Sequence, residues 1–142
     1  MKNKLLLFGY VFAASFGAFV VGLNLGGISG ALEFITAEFG LSAMAMGLVT
    51  SAIMIGCLIG ALLGGRYSDK YGRRNMMIIS AVMLILSAVG CAMASNAAWL
   101  IAARFLGGCG MGVLSAVIPI YISEISPAKW RGAFVSFYQL FI

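Results

Sequence analysis

Long apolar stretches, separated by short polar segments, run along the whole chain. A membrane-spanning helix takes about 20 predominantly apolar residues, and four stretches reach that length. The pattern predicts helices over residues 5–31, 43–65, 75–95 and 97–123, and a fifth that begins at residue 132. The expected fold class is therefore all-α, a polytopic bundle of transmembrane helices.

The two ends of the chain indicate how much of a helical bundle it contains. The start MKNKLLLFGYVFAASFGAF is similar to a secretory signal peptide, but the apolar run continues to Ala31. That is about twice the length of a signal-peptide core, so we interpret it as a retained first helix. The chain stops inside the fifth apolar stretch, FVSFYQLFI. We therefore expect residues 1–142 to form a partial amino-terminal bundle that lacks a carboxy-terminal half.

Composition narrows the class of protein. Of the 142 residues, 63% are hydrophobic and 9% are charged, whereas roughly a quarter of the residues of a soluble domain are charged. The net charge of +5 comes from Lys and Arg at helix ends, so we expect no nucleic-acid partner. The sequence has no His, no phosphate-binding loop and no metal-ligand cluster. We therefore expect neither an enzyme nor a bound cofactor or metal.

The cationic residues alternate between loops. They lie before the first helix, at residues 66–74 and at residues 129–131, and the intervening loops contain none. Short cytoplasmic loops of membrane proteins carry an excess of Lys and Arg. The pattern predicts a multi-pass protein of the plasma (inner) membrane with a cytoplasmic amino terminus.

Small residues recur every four positions in three of the predicted helices. Glycine and alanine at this spacing allow helix backbones to approach closely in a bilayer. We therefore expect a close-packed bundle. The glycines that we expect at helix contacts are Gly22 and Gly26 in the first helix, Gly56, Gly60 and Gly64 in the second, and Gly108 and Gly112 in the fourth.

Two polar side chains lie inside predicted spans. Arg104 lies roughly 10 Å from the outer end of the fourth helix, at a depth where a cation costs about 2.5 to 3.5 kcal/mol to insert. Arg104 is therefore a candidate functional residue, and snorkelling to the outer interface is the alternative. Asn24 lies at a similar depth in the first helix. Its amide oxygen could accept a hydrogen bond from Arg104, or its amide could simply join two helices.

Acidic and basic residues gather in two of the cytoplasmic loops. Anchoring at the membrane surface requires cations alone, so the carboxylates between them need another explanation. Two mixed-charge clusters on one face suggest a breakable ion-pair network of the kind that conformational switches use. The first cluster contains Asp69, Arg73 and Arg74, and the second contains Glu124, Lys129 and Arg131.

Two segments carry a family resemblance. The segment GGRYSDKYGRR resembles the loop between helices 2 and 3 of the major facilitator superfamily. The segment RFLGGCGMGVLSAVIPIYISEISPAKWRG resembles the helix 4 signature of its sugar porter family. The chain covers about four and a half of the twelve helices that the resemblance implies. The matching positions of the second segment are Arg104, Gly108, Gly112, Pro119, Tyr121, Glu124, Pro127, Arg131 and Gly132.

The resemblance implies roles for individual residues. Proton-coupled members carry a helix 1 motif close to GYDTGVISG, where this chain has GLNLGGISG. Asn24 therefore stands where the coupled porters have a proton-binding Asp, and Arg104 matches an arginine near that Asp. Gln139 matches a glutamine that hydrogen-bonds the sugar. The residues that match cytoplasmic ion pairs, which stabilise the outward-facing state in the family, are Asp69, Arg73, Arg74, Glu124 and Arg131.

The resemblance implies transport of a monosaccharide, either a hexose or a pentose, by alternating access within the lipid bilayer. Because an amide cannot take up a proton near neutral pH, we expect facilitated diffusion, and we expect transport to require the missing carboxy-terminal half. Three alternatives stay open. They are a symporter of sugar and protons that uses another carboxylate such as Glu33, a sugar sensor that does not transport, and an inactive truncated gene product.

Overall fold

The chain forms a bundle of α-helices. The computed structural model describes residues 9, 12, 16–24, 26, 30 and 42–140, whose regular secondary structure is α-helical throughout, and the predicted all-α class is confirmed. We label the helical residues 16–24 α1. The helices that follow are α2 Ala43–Tyr71, α3 Arg73–Ala92, α4 Ala97–Ile125 and α5 Arg131–Leu140. Three of them, α2, α3 and α4, are long and apolar enough to cross a membrane.

Local sequence sets the helix ends. The side chains of Ser42 and Asn96 cap α2 and α4, accepting hydrogen bonds from the third residue beyond each, as Ser and Asn do at helix starts. The α2 helix continues to Tyr71, six residues beyond the predicted end at residue 65. Hydropathy detects only the apolar part of a helix, so it does not detect a charged extension of the same helix.

The α2 and α4 helices pack backbone to backbone. Their contacts pair Gly56 with Phe105, Gly60 with Cys109 and Gly64 with Val113. Residue numbers rise together along both helices, so α2 and α4 run in the same direction. From the other side, Gly108 abuts Ile53 and Gly112 abuts Cys57. The glycine rows of α2 and α4 thus interlock, which is how small residues join helices in lipid.

The α3 helix runs antiparallel to α4. At one end the indole nitrogen of Trp99 donates to the carbonyl oxygen of Gly90 at 3.0 Å. In the middle the buried hydroxyl of Ser87 donates to the carbonyl oxygen of Ala103 at 2.7 Å. At the other end Arg73 of α3 forms an ion pair with Glu124 of α4. The cluster containing Asp69 and the cluster containing Glu124 therefore lie at the same end of the bundle.

The core lies around α4. Ile118 and Ile122 are fully buried, and the side chain of Ile118 lies close to Gly17 of α1. Tyr138 brings α5 into the same cluster. The α4 helix therefore contacts all four of the other helices. The buried residues of this cluster are Ala18, Val21, Ile53, Met111, Leu114, Ile118, Ile122 and Tyr138.

Candidate functional site

A guanidinium group joins two carboxylates at the charged end of the bundle. Arg73 Nη1 lies 2.6 Å from Asp69 Oδ1, and Arg73 Nη2 lies 2.9 Å from Glu124 Oε1. Arg73 Nε also donates to both oxygens of Glu124, at 3.3 Å each. One edge of the guanidinium thus faces α4 and the other faces α2. Arg73 Nη1 also donates to the hydroxyl of Ser68. We call Ser68, Asp69, Arg73 and Glu124 the Arg73 cluster.

Gly72 places Arg73 at the junction of α2 and α3. It is the one residue between the two helices, and its φ of 86° with ψ of 145° is a backbone conformation that glycine alone adopts readily. The amide of Gly72 donates to the carbonyl oxygen of Ser68 and closes α2. A cation in the first turn of a helix opposes the helix dipole. The two carboxylates offset that cost at Arg73.

The Arg73 cluster is partly open to solvent. The Arg73 side chain is 20% exposed, whereas Asp69 is 70% and Glu124 is 51% exposed. Ion pairs in such surroundings contribute about 0 to 1 kcal/mol each. The contacts that connect α2, α3 and α4 at this end can therefore break and form again at small cost, as a conformational switch requires.

The other two cations predicted for this network lie apart from it. Arg74 and Arg131 are exposed. Within the described part of the chain, no ion pair joins either of them to a carboxylate. The two carboxylates of the clusters are instead bridged by Arg73. A gating role for Arg74 and Arg131 stays a prediction.

The polar residues inside the spans occupy separate surroundings. Asn24 is half-buried, and its amide nitrogen donates to the carbonyl oxygen of Val20, one turn earlier in α1, at 3.1 Å. Arg104 is also half-buried, and its Nε is buried with no hydrogen-bond partner in the described residues. No hydrogen bond among the described residues joins Asn24 to Arg104. The predicted outer end of the first helix, from which the common depth was inferred, lies outside the described residues.

Gln139 and Tyr138 show the two faces of α5. Tyr138 is 2% exposed and packs into the core around α4, whereas Gln139 is exposed. An exposed amide offers two donors and an acceptor to a ligand. The candidate sugar-binding residue therefore lies on the face of α5 that the described bundle leaves open.

The glycines predicted at helix contacts divide into two groups. A Cβ built on Gly56, Gly60, Gly64, Gly108 or Gly112 would collide with the facing backbone. In the first predicted helix, Gly22 is half-buried, and a Cβ at Gly26 would meet nothing within 4 Å in the described residues. Gly17 of α1 does lie against α4, because a Cβ there would be 2.9 Å from the Cδ1 of Ile118.

A cavity of about 300 Å³ lies between α1, α3 and α4. Its lining is apolar and includes Val20, Leu84 and Ile118. A sugar needs donors and acceptors that match its hydroxyl groups. The described residues that line it offer no such side chain, so we do not propose it as the sugar site.

Sequence reasoning missed Ser68. Its hydroxyl accepts a hydrogen bond from Arg73 Nη1, although the two residues are five positions apart, a spacing that does not share a face within one α-helix. The break at Gly72 brings them together. The presence of Gly72 just before Arg73 is the one sequence signal that could have pointed to this contact.

Comparison with known proteins identifies the class of protein. The model of the family described as sugar (and other) transporter matches residues 10–142. The chain is 39% identical over 141 residues to the galactose-proton symporter of Escherichia coli, covering 99% of this chain and 30% of that protein. It is 38% identical over 135 residues to plastidic glucose transporter 4 of Arabidopsis thaliana, covering 94% of this chain and 25% of that protein.

Solved structures give the same result for the fold. The proton:xylose symporter XylE of the major facilitator superfamily, bound to 6-bromo-6-deoxy-D-glucose, matches with a TM-score of 0.91 and 31% identity. The match covers 99% of this chain and 35% of that one. An inward-open structure of the xylose transporter XylE from E. coli matches with a TM-score of 0.87 and 33% identity, covering 96% of this chain and 36% of that one.

The helices and these matches define an integral membrane protein with the fold of the major facilitator superfamily. The chain belongs to the sugar (and other) transporter family. It spans about a third or less of the length of the relatives that it matches. These relatives are secondary transporters rather than enzymes.

Proposed function

We propose that the chain is the amino-terminal part of a transporter that moves a monosaccharide across the plasma membrane by alternating access. The observation that carries the proposal is the Arg73 cluster, in a chain that belongs to a sugar transporter family. The cluster connects the α2–α3 turn to the end of α4 through solvent-accessible ion pairs, which a change of conformation can break.

The same contacts support an orientation in the membrane. The Arg73 cluster brings the two cation-bearing loops to one end of the bundle, and cations mark cytoplasmic loops. The Arg73 cluster is thus on the cytoplasmic side, and the capped amino-terminal ends of α2 and α4 are on the outer side. In this orientation the amino terminus of the chain is cytoplasmic.

The substrate class is a hexose or a pentose. The exposed amide of Gln139 supports this, because it offers both donors and acceptors to sugar hydroxyl groups. Among the relatives are a galactose-proton symporter and a D-xylose transporter from Levilactobacillus brevis, the latter 36% identical over 135 residues. Proteins that carry hexoses and pentoses are thus similar to this chain to nearly the same degree.

The energy coupling is facilitated diffusion. By its resemblance to the helix 1 motif, Asn24 stands where the proton-coupled porters have a carboxylate, and its amide nitrogen donates a hydrogen bond to the backbone of its own helix. A carboxamide cannot exchange protons near neutral pH, so it cannot connect sugar movement to a proton gradient. Similarity to the galactose-proton symporter favours symport through another carboxylate as the second candidate.

The test is sugar uptake by proteoliposomes that contain the full transporter of which this chain is part, with protein-free liposomes as the control. We expect labelled galactose, glucose or xylose to equilibrate across the membrane at a rate that a protonophore does not change. Accumulation above the external concentration that the protonophore abolishes would establish symport instead. If none of a panel of hexoses and pentoses enters, transport itself is refuted, and the sensor and the inactive product remain.

A further inference from the structure

The hydroxyl of Ser68 lies buried beneath the Arg73 cluster. Ser68 is 1% exposed, and it is the least exposed member of the cluster. Asp69, the next residue of α2, has a side chain that is 70% exposed. The two residues therefore hold Arg73 differently, since one contact is in solvent and the other is shielded from it.

Both hydrogen-bonding functions of the Ser68 hydroxyl are engaged. It donates to the carbonyl oxygen of Gly65 at 2.9 Å and accepts from Arg73 Nη1. A hydroxyl has a single donor, so the bond to Gly65 fixes its orientation and leaves its lone pairs for Arg73. The acceptor beneath the guanidinium is thus locked to the backbone of α2.

This acceptor determines where the rest of the guanidinium points. The group is planar and its donors form a rigid fork. With Nη1 held on Ser68 and Asp69, the edge formed by Nε and Nη2 faces Glu124. Without Ser68, Nη1 keeps only the carboxylate of Asp69, an exposed side chain that can move together with the guanidinium. The orientation of Nε and Nη2 toward Glu124 is then no longer fixed.

We infer that Ser68 is a positioning residue that aims Arg73 at Glu124 and so sets how readily the connection between α2 and α4 opens at the cytoplasmic end. The inference rests on the proposed function, in which this connection must break during transport. It adds a residue that makes no ion pair itself and acts only through Arg73.

The test compares variants of the full transporter in nanodiscs and proteoliposomes. Ser68→Ala removes the acceptor, and Ser68→Thr keeps it. Ser80→Ala is the matched control, because Ser80 is also fully buried and donates to the carbonyl oxygen of Met76 within its own helix, away from the Arg73 cluster. If Ser68→Ala gives too little folded protein, Ser68→Cys keeps a similar volume and offers only a weak acceptor.

Two readouts report on the contact. Hydrogen exchange of residues 124–131 measures local opening, and the KM for external sugar measures the fraction of transporters that face outward. Loss of a hydrogen bond to a charged group corresponds to roughly a tenfold change in an equilibrium constant. We expect Ser68→Ala to speed this exchange about tenfold and to raise KM, while Ser68→Thr and Ser80→Ala resemble the parent.

The effect of Ser68→Ala on hydrogen exchange and on KM must also depend on Arg73. In an Arg73→Ala background we expect Ser68→Ala to change neither exchange nor KM further. Equal effects of Ser68→Ala with and without Arg73 would mean that Ser68 only packs, and would overturn the inference. If Arg73→Ala alters transport and Ser68→Ala does not, the inference fails while the proposed function stands. If Arg73→Ala itself changes neither exchange nor KM, the inference fails while transport stands. The proposed function fails separately, if the parent protein takes up no sugar.

Discussion

Gly112 of α4 lies directly against the backbone of Cys57 of α2. A Cβ on Gly112 would overlap the carbonyl oxygen of Cys57 and lie 2.7 Å from the amide nitrogen of Ala61. Both obstacles are helix backbone, which cannot rotate away as the end of a side chain can. The separation of α2 and α4 is thus set by the absence of side chains at their contact.

Replacing Gly112 by alanine should therefore force α2 and α4 apart. Overfilling a packed contact costs about 1 to 3 kcal/mol, against a gain of up to about 1 kcal/mol from the better helix propensity of alanine. We expect a lower thermal unfolding temperature for purified Gly112→Ala transporter in detergent. Gly47→Ala in α2 is the matched control, because a Cβ there would meet no atom of the described residues within 4 Å. A melting temperature for Gly112→Ala equal to that of Gly47→Ala would contradict this packing.

The contact between Arg73 and Glu124 should depend on guanidinium geometry as well as charge. Arg73→Lys keeps the charge but cannot make the bidentate contact that Nε and Nη2 make with Glu124. We expect Arg73→Lys and Glu124→Gln each to change the uptake rate several-fold, by an amount corresponding to about 1 kcal/mol. The measurement is initial sugar uptake at saturating substrate.

Lys129→Gln is the control for a change of one unit in surface charge, because Lys129 is an exposed cation near the same end of the bundle. We expect it to transport like the parent. If Lys129→Gln has as large an effect as Glu124→Gln, the general surface charge rather than the specific contact controls uptake.

Gly72 should tolerate no side chain. Its φ of 86° lies where L-residues are strained, and imposing such a conformation costs about 1 to 3 kcal/mol. We expect Gly72→Ala to lower the unfolding temperature even though a Cβ there would meet no described atom within 4 Å. Gly132→Ala, at a glycine with equally free described surroundings but without a positive φ, should not lower it. The two melting curves, recorded side by side, separate backbone strain from crowding.

Asn24→Asp tests the coupling mode. If Asn24 occupies the position of a coupling carboxylate, a titratable group there should make sugar uptake depend on pH and on a proton gradient. We expect the parent to show neither dependence. The measurement is uptake by both proteins between pH 5 and 8, about the range in which a buried carboxyl titrates. Identical pH profiles would leave Asn24 as a structural amide bonded to Val20.

The charged end of the bundle shows how far sequence reasoning reaches. The pattern of carboxylates among cations indicated an ion-pair network, and the positive-inside rule placed both clusters on one face. The sequence pattern could not show which of Arg73, Arg74 and Arg131, all of equal charge, makes the ion pairs. That selection depends on Gly72, which ends α2 and turns the first residue of α3 toward Glu124.

The glycine rows show the same limit. The four-residue spacing is equally regular in three predicted helices, yet the rows of α2 and α4 interlock, while a Cβ at Gly26 of the first predicted helix would meet no described atom within 4 Å. Spacing defines a face of a helix but does not name the helix that will cover it. Partner choice depends on the position of every helix in the bundle.

The sequence alone determined the membrane class, the helical fold and the family resemblance. These depend on composition, on apolar length and on short motifs, all of which are local properties of the chain. The tertiary structure decided that Arg73 is the residue that bridges Asp69 and Glu124, and that Ser68 lies beneath it. Contacts between residues far apart in the chain exist only when helix ends and helix packing fix both partners at once, so no local pattern encodes them.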